Sequence, residues 1–276
     1  MTSVAVIVTT YNRPDALAAV LSGYLAQTDR NFDLIVADDG STAETTAVID
    51  AARHRADFGI TQVWHEDIGF RAAAIRNRAI ARTNAEYIIF SDGDCIPTPD
   101  FVARHRRMAE PGWFLSGNRI LLSEAFTHRV LKDRIAVHAW SKGRWLRARC
   151  AGEVNRWLPF LFLPPDLTLR KMFAQKWEGV MTCNLSVWRR DLLKIDGLDE
   201  IYFGWGLEDS DLAIRLMQAG IRHKSARFAA PVLHLWHREN DRGSLPENRR
   251  RLNEVIHSDR IRAVRGLSQY TQEKEP

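Results

Sequence analysis

The chain has 276 residues, 45% of them hydrophobic and 26% charged, with a formal net charge of +5. That length and balance suit one α/β domain with a real core and exclude wholesale disorder, while the charge leans toward anionic partners and leaves phosphate, nucleic acid and acidic lipid open. Three cysteines, Cys95, Cys150 and Cys183, lack C-x-x-C pairing, which speaks against a disulfide framework or a cysteine zinc site and predicts reduced, structural thiols.

The N-terminus, MTSVAVIVTTYNRP, has no basic leader before its apolar run, so neither a signal peptide nor a membrane anchor is expected and the protein reads as cytoplasmic. Val4 to Thr9 is a continuous β-branched run, and Phe32 to Ala37 is a second. Strands apolar at every position belong to a sheet covered on both faces. Between them, Arg13 to Gln27 carries Leu17, Val20, Leu21, Tyr24 and Leu25 at helical spacing behind Pro14. Thr42 to Arg55 reads as a helix, Thr61 to His65 as a strand, Arg71 to Thr83 as a helix and Tyr87 to Ser91 as a strand. The alternation predicts a mostly parallel, Rossmann-like sheet with helices on both faces and a ligand crevice at the carboxyl ends of the strands.

A polar cluster follows each strand: Thr10-Tyr11-Asn12-Arg13, Asp38-Asp39-Gly40-Ser41, Asp67 to Arg71, and Asp92-Gly93-Asp94. Any one alone reads as a polar turn, but four in succession at corresponding ends predict a site. The first turn, TTYNRP, has no glycine, which excludes the dinucleotide fingerprint and the P-loop. Phosphates must be held by another device. A divalent metal bridging Asp92 and Asp94 to a diphosphate is the simplest, with Gly93 letting the backbone approach.

In the second half, Phe203-Gly204-Trp205-Gly206-Leu207-Glu208-Asp209 precedes a helical pattern closed by Gly220, which places Glu208 and Asp209 at a helix N-terminus where negative charge is stabilised. Trp205, between two glycines, offers an aromatic wall at a tight turn. The strand-like run VLHLWH puts His234 and His237 three residues apart, either of them able to complete a metal site. Arg238 to Pro246 has the charge and glycine of a lid, and Pro246 to Gly266 reads as a basic helix before a frayed end.

VIVTTYNRP, ADDGS, HEDIGFRAAAIRNRAI and FSDGD, in this order, resemble a family 2 glycosyltransferase of the GT-A fold, over the chain to about Asp100. The FGWGLEDSD segment resembles the G-W-G-x-E-D motif of β-1,4-galactosyltransferases and bacterial chondroitin-type polymerases. The resemblance implies that Thr10, Tyr11 and Asp39 meet the nucleotide base and that Arg13 and either Arg71 or Arg76 lie by the donor. It also puts Asp92 at ribose and metal, with Asp94 as the direct ligand and His237, accompanied by His234, as its metal partner. For Arg76 and Asn77 a helix-packing role is an equal alternative. Asp209 becomes the base that deprotonates the acceptor hydroxyl, Glu208 a hydrogen-bonding partner of acceptor hydroxyls, and inversion follows from a base opposite the leaving group. Manganese or magnesium, with manganese favoured, is the implied cofactor.

The expected activity is metal-dependent transfer of a sugar, galactose or an N-acetylhexosamine first, from a UDP-linked donor to a saccharide acceptor in bacterial-type surface polysaccharide or lipopolysaccharide synthesis. A sugar-nucleotide hydrolase or nucleotidyltransferase is the enzymatic alternative. The non-enzymatic one is a degenerate glycan- or membrane-binding module. Residues 1–110 then hold the nucleotide sugar, 179–250 carry the acceptor side, and 251–276 form a terminal helix and tail, all in one compact domain. The helical insertion 111–178 is the least family-like part. Between Phe126 and Glu178 eleven lysines and arginines face four acids, and tryptophans recur at 140, 145, 157 and 177. A peripheral membrane contact, suited to a lipid-linked acceptor, and a solvated insertion whose aromatics pack on the core fit this equally. The basic residues equally suit phosphorylated core sugars. The apolar stretch WLPFLFLPP is too short to span a bilayer at roughly 20 residues per crossing. No nucleic-acid-binding motif is present, and nothing in the sequence fixes the oligomeric state.

Overall fold

A computed structural model describes residues 1–239 and 241–271. The first half alternates as expected: β1 (Val4–Thr10), α1 (Pro14–Leu25), β2 (Asp33–Asp38), α2 (Ala43–Arg53), β3 (Ile60–Trp64), α3 (Ala72–Ala81) and β4 (Tyr87–Asp92). The chain continues through β5 (Cys95–Pro97), α4 (Phe101–Met108), β6 (Trp113–Ser116), β7 (Arg119–Leu121), α5 (Glu124–Lys132) and α6 (Lys142–Cys150). It closes with β8 (Asn184–Trp188), α7 (Arg189–Ile195), α8 (Glu208–Gln218), β9 (Arg222–Ser225), β10 (Val232–His234), α9 (Leu245–Ile256) and α10 (Ser268–Thr271).

Seven strands form the main sheet in the order β3-β2-β1-β4-β8-β6-β9, with β8 alone antiparallel to its neighbours. Alternate side chains of the strands enter two cores. Val4, Val6, Val8, Leu34, Val36 and Ile89 pack with α1 and α2, while Ala5, Ile7, Ile35, Ile88 and Phe90 pack with α3, α7 and α8. Burial on both faces is why these strands read as unbroken apolar runs.

The chain steps outward from β1 to β3 and then returns to the other side of β1 as β4, so the order reverses between β1 and β4. A ligand crevice belongs outside the carboxyl ends at such a reversal. A second sheet, β5-β10-β7, lies beyond it. Antiparallel pairing sets His234 opposite Cys95, and the Leu235 N–H donates to the Asp94 carbonyl at 2.9 Å. Two segments about 140 residues apart in sequence are thereby fixed side by side.

Three expectations need correction. The C-terminal helix stops at Ile256 rather than running to Gly266, because the following chain is pinned by carboxylates: Asp199 accepts from the Val264 and Arg265 N–H groups, and Asp196 from Ser268. The insertion is helical only through α5 and α6; residues 151–183 carry short 3-10 turns at Leu158–Leu161 and Thr168–Lys171. The VLHLWH run is a strand only to His234, leaving His237 on the loop. Residue 240 of the expected lid and the frayed end at 272–276 lie outside the described residues. Among the described residues no helix is long and apolar enough to cross a membrane.

Candidate active site

The sheet brings the four polar clusters to one edge. At the end of β2, Asp39 is buried; its Oδ1 lies 2.5 Å from His65 Nε2 and its Oδ2 accepts from the Arg71 backbone N–H at 2.8 Å. Tyr11 donates to Asp67 at 2.8 Å, which lowers the carboxyl of Asp67 and raises the phenol of Tyr11. Thr10 is buried beside Gly93, and its Oγ1 has no hydrogen-bond partner among the described residues.

The two arginine candidates separate. The Arg71 side chain turns away to the Glu66 carbonyl, 2.5 Å distant, and only its backbone N–H serves the site. Arg13 is occupied by Asp15 at 3.0 Å. Arg76 is the arginine in the crevice: buried on α3, it donates to Thr9 Oγ1 at 2.9 Å, to Asp92 at 3.0 Å and to Glu208 at 3.2 Å. Its neighbour Asn77 packs instead, bonding the Leu198 carbonyl and Glu200. Arg76 thus joins the end of β4 to the start of α8, elements that are distant in sequence. Burial pushes the Asp92 carboxyl up, the Arg76 charge draws it down, and Asp94 pushes it up again.

Gly93 makes the Asp92-Gly93-Asp94 turn possible. A Cβ there would stand 2.8 Å from Thr10 Oγ1 and 3.2 Å from the Thr9 carbonyl oxygen, and the Gly93 N–H already donates to that carbonyl at 2.7 Å. Beyond the turn, Asp94 Oδ2 lies 3.3 Å from His237 Nε2 and 3.7 Å from His234 Nε2. These three residues form one of two clusters among the described residues that could hold a metal ion, the other being Asp92, Cys95 and Cys183.

The first cluster suits a divalent ion on its own geometry. His237 Nδ1 lies 2.7 Å from the Arg238 carbonyl, an atom that only accepts, so Nδ1 carries the proton and Nε2 the lone pair in the neutral ring. Burial lowers the pKa of His234, while the Asp94 charge acts against it. Two imidazole nitrogens and a carboxylate oxygen meet at one point, an arrangement that a shared cation satisfies.

Opposite, the GWG turn is held from outside. Asn248 of α9, fully buried, donates to the carbonyls of Phe203 and Gly206 at 3.2 and 3.1 Å. Gly204 has φ +72°, and a Cβ there would meet Ser244 Oγ at 2.4 Å. The Trp205 ring is flanked by the Arg242 guanidinium at 5.1 Å. Glu208 and Asp209 open α8, and Asp209 Oδ1 accepts from the Ser210 N–H at 2.8 Å. Burial first, and the neighbouring Glu208 charge second, push the Asp209 carboxyl up to about 7, with Arg76 acting against them. A carboxylate poised there accepts a proton near neutrality.

The sequence reading gives no role to His65 or Asn248. His65 only opens the HEDIGFRAAAIRNRAI stretch and Asn248 lies outside every motif, and each acts on a motif residue across separations of 26 and of 45 and 42 residues.

Residues 5–186 match the family described as glycosyl transferase family 2, and residues 167–238 the N-terminal domain of galactosyltransferase. Validoxylamine A glucosyltransferase of Streptomyces hygroscopicus subsp. jinggangensis is 29% identical over 227 residues, 79% of this chain and 52% of that protein. Chondroitin synthase of Escherichia coli is 27% identical over 241 residues, covering 82% of this chain and 34% of that one. The chain spans about half the length of the first relative and a third of the second. S. aureus TarS in complex with UDP-GlcNAc superposes with a TM-score of 0.59 at 13% identity, over 98% of this chain and 69% of that one, a likeness of fold.

Proposed function

Because the chain belongs to glycosyl transferase family 2, we propose that it moves a sugar from a nucleotide-sugar donor to a saccharide acceptor, with inversion at the anomeric carbon. The observation that carries the proposal is the pairing of a metal-competent triad, Asp94, His234 and His237, with a carboxylate at Asp209 whose pKa stands near neutrality. A hydrolase or nucleotidyltransferase has no need of a base beside an aromatic wall.

In this reading Thr10, Tyr11 and Asp39 seat the base, with Asp39 held by His65 so that its carboxylate keeps one orientation. Asp94, His237 and His234 would hold the divalent ion, with Asp92 contributing to the same anionic turn. When bound, the ion supplies Lewis acidity to the departing diphosphate. Imidazole ligands favour manganese, since magnesium keeps to oxygen ligands and its own waters. Asp209 takes the proton from the acceptor hydroxyl as that oxygen attacks the anomeric carbon and the bond to the diphosphate breaks. Glu208 orients acceptor hydroxyls and Trp205 faces the sugar ring. Arg76 cancels part of the negative charge between the two halves of the site.

A UDP-linked donor, carrying galactose or an N-acetylhexosamine, and an acceptor in surface polysaccharide or lipopolysaccharide are the specific assignments. The galactosyltransferase-like match over 167–238, the chondroitin synthase likeness and the UDP-GlcNAc complex of a structural neighbour support them. We assign residues 1–110 to the donor, 111–178 to the insertion, 179–250 to the acceptor side and 251–276 to the terminal segment. Three free cysteines, two of them buried together at Cys95 and Cys183, support a reducing, cytoplasmic setting. The test is titration of nucleotide sugars with and without manganese. Manganese-dependent binding of a UDP-sugar is expected, and equal binding in its absence would remove the metal assignment.

A further inference from the structure

The insertion sorts its side chains in a way its composition does not reveal. Its tryptophans turn inward: Trp145 is buried and stacks on Phe160 at 4.6 Å, Trp140 lies 4.9 Å from Trp145, and Trp157 donates to the Lys142 carbonyl at 3.0 Å. A set of other apolar side chains turns outward. Leu158 and Leu161 are 57% and 47% exposed, and Leu169, Met172 and Phe173 are 62%, 65% and 62% exposed.

These residues are displayed on a fixed scaffold. In a 3-10 turn, side chains three apart lie on one side, which aligns Leu158 with Leu161 and Leu169 with Met172. Buried Arg170 ties the two turns together, donating to the carbonyls of Leu163 and Pro164 on one side and of Ser225 and Arg227 on the other, each at 2.9 Å. An arginine with four carbonyl partners holds this apolar loop against the body of the protein.

The same insertion carries exposed basic residues. Lys142, Arg147, Arg149 and Arg156 are exposed, and the described residues give none of them an acidic partner, whereas Arg129 nearby is paired with Glu153. An exposed apolar loop in an insertion that carries unpaired, exposed cations matches the boundary of an anionic bilayer, where alkyl side chains enter the acyl region and guanidinium groups meet phosphate.

We propose that residues 142–176 form a membrane-contact face that seats the protein on an anionic lipid surface through Leu158, Leu161, Leu169, Met172 and Phe173. The contact is peripheral. It is independent of which sugar is transferred.

Sedimentation of the full chain with vesicles of phosphatidylcholine, alone or mixed with phosphatidylglycerol, tests this. Binding to the mixed vesicles, weakened by added salt, is expected, with little on phosphatidylcholine alone. Two double variants separate the contributions: L169D with F173D, and R147E with R149E. Each is expected to lose at least about tenfold in vesicle affinity, since one basic residue at such a surface is worth about fivefold. All four side chains are exposed, so thermal unfolding should match the wild type. Absence of binding to mixed vesicles at low salt, or wild-type binding by both variants, overturns the proposal. So does a wild-type dimer that L169D with F173D disperses, because the face would then join two copies of the chain.

Discussion

Arg76 and Glu208 meet at 3.2 Å in the buried centre of the crevice, one from the donor half and one from the helix that carries the proposed base. The same guanidinium stands 3.0 Å from Asp92. Removing it leaves two carboxylates without their cation. Arg76→Ala is expected to destabilise the fold by about 3–5 kcal/mol, the usual cost of breaking a buried pair, measured by urea unfolding. Arg76→Lys should recover part of this, since a point charge replaces a fork that makes three contacts.

Arg76 also lowers the pKa of Asp209. The carboxyl of Asp209 sits at about 7, and only its ionised form accepts a proton. Turnover should therefore rise with pH through about 7 and fall below it as Asp209 becomes protonated. In Arg76→Lys, where the charge is retained but displaced, the inflection should move upward. A pH profile of kcat/KM checks both, and a profile flat from pH 6 to 8 would remove Asp209 as the base.

The triad predicts a metal phenotype distinct from the base phenotype. Asp94→Ala and His237→Ala should each weaken manganese binding at least about tenfold, comparable to losses when a metal's surroundings are disturbed. The free-manganese signal in electron paramagnetic resonance reads this directly, with no substrate present. Retained affinity in both variants would place the ion elsewhere, with the Asp92, Cys95 and Cys183 cluster as the remaining candidate among the described residues.

Gly93→Ala tests the turn between the two aspartates. The added methyl would press on Thr10 and on the Thr9 carbonyl within β1, which is paired on both sides and has little room to yield. A loss of about 1–3 kcal/mol is expected, as for overpacking in a close-packed interior. Manganese affinity should fall with it, because Asp94 would be displaced relative to His237.

The first half of the fold was legible because its signals are local. A strand buried on both faces must be apolar throughout, and a helix packed on that sheet must repeat every three or four residues. The polar turns at the ends of β1 to β4 were legible for the same reason, since parallel strands with right-handed crossovers deliver their carboxyl ends to one edge. Long-range partnerships were not. The bond of His65 to Asp39, the grip of Asn248 on the GWG turn and the bridge from Arg76 to Glu208 depend on how distant elements pack. The choice between Arg71 and Arg76 turned on helix phase at the start of α3, which places one at the cap and the other inside. The terminal helix was overread because basic residues after Ile256 continue a helical composition, while Asp196 and Asp199 capture that segment through backbone bonds invisible in composition.

The central claim is that one half of the crevice holds the leaving group and Asp209 handles the proton. The most direct test compares wild type with Asp209→Asn for manganese-dependent UDP-sugar binding and for acceptor-stimulated release of UDP. The account predicts nearly unchanged donor affinity and release slowed at least about a hundredfold in the variant, the lower range for loss of a general base. Donor cleavage that ignores the acceptor and proceeds undiminished in Asp209→Asn would contradict it and make the protein a sugar-nucleotide hydrolase.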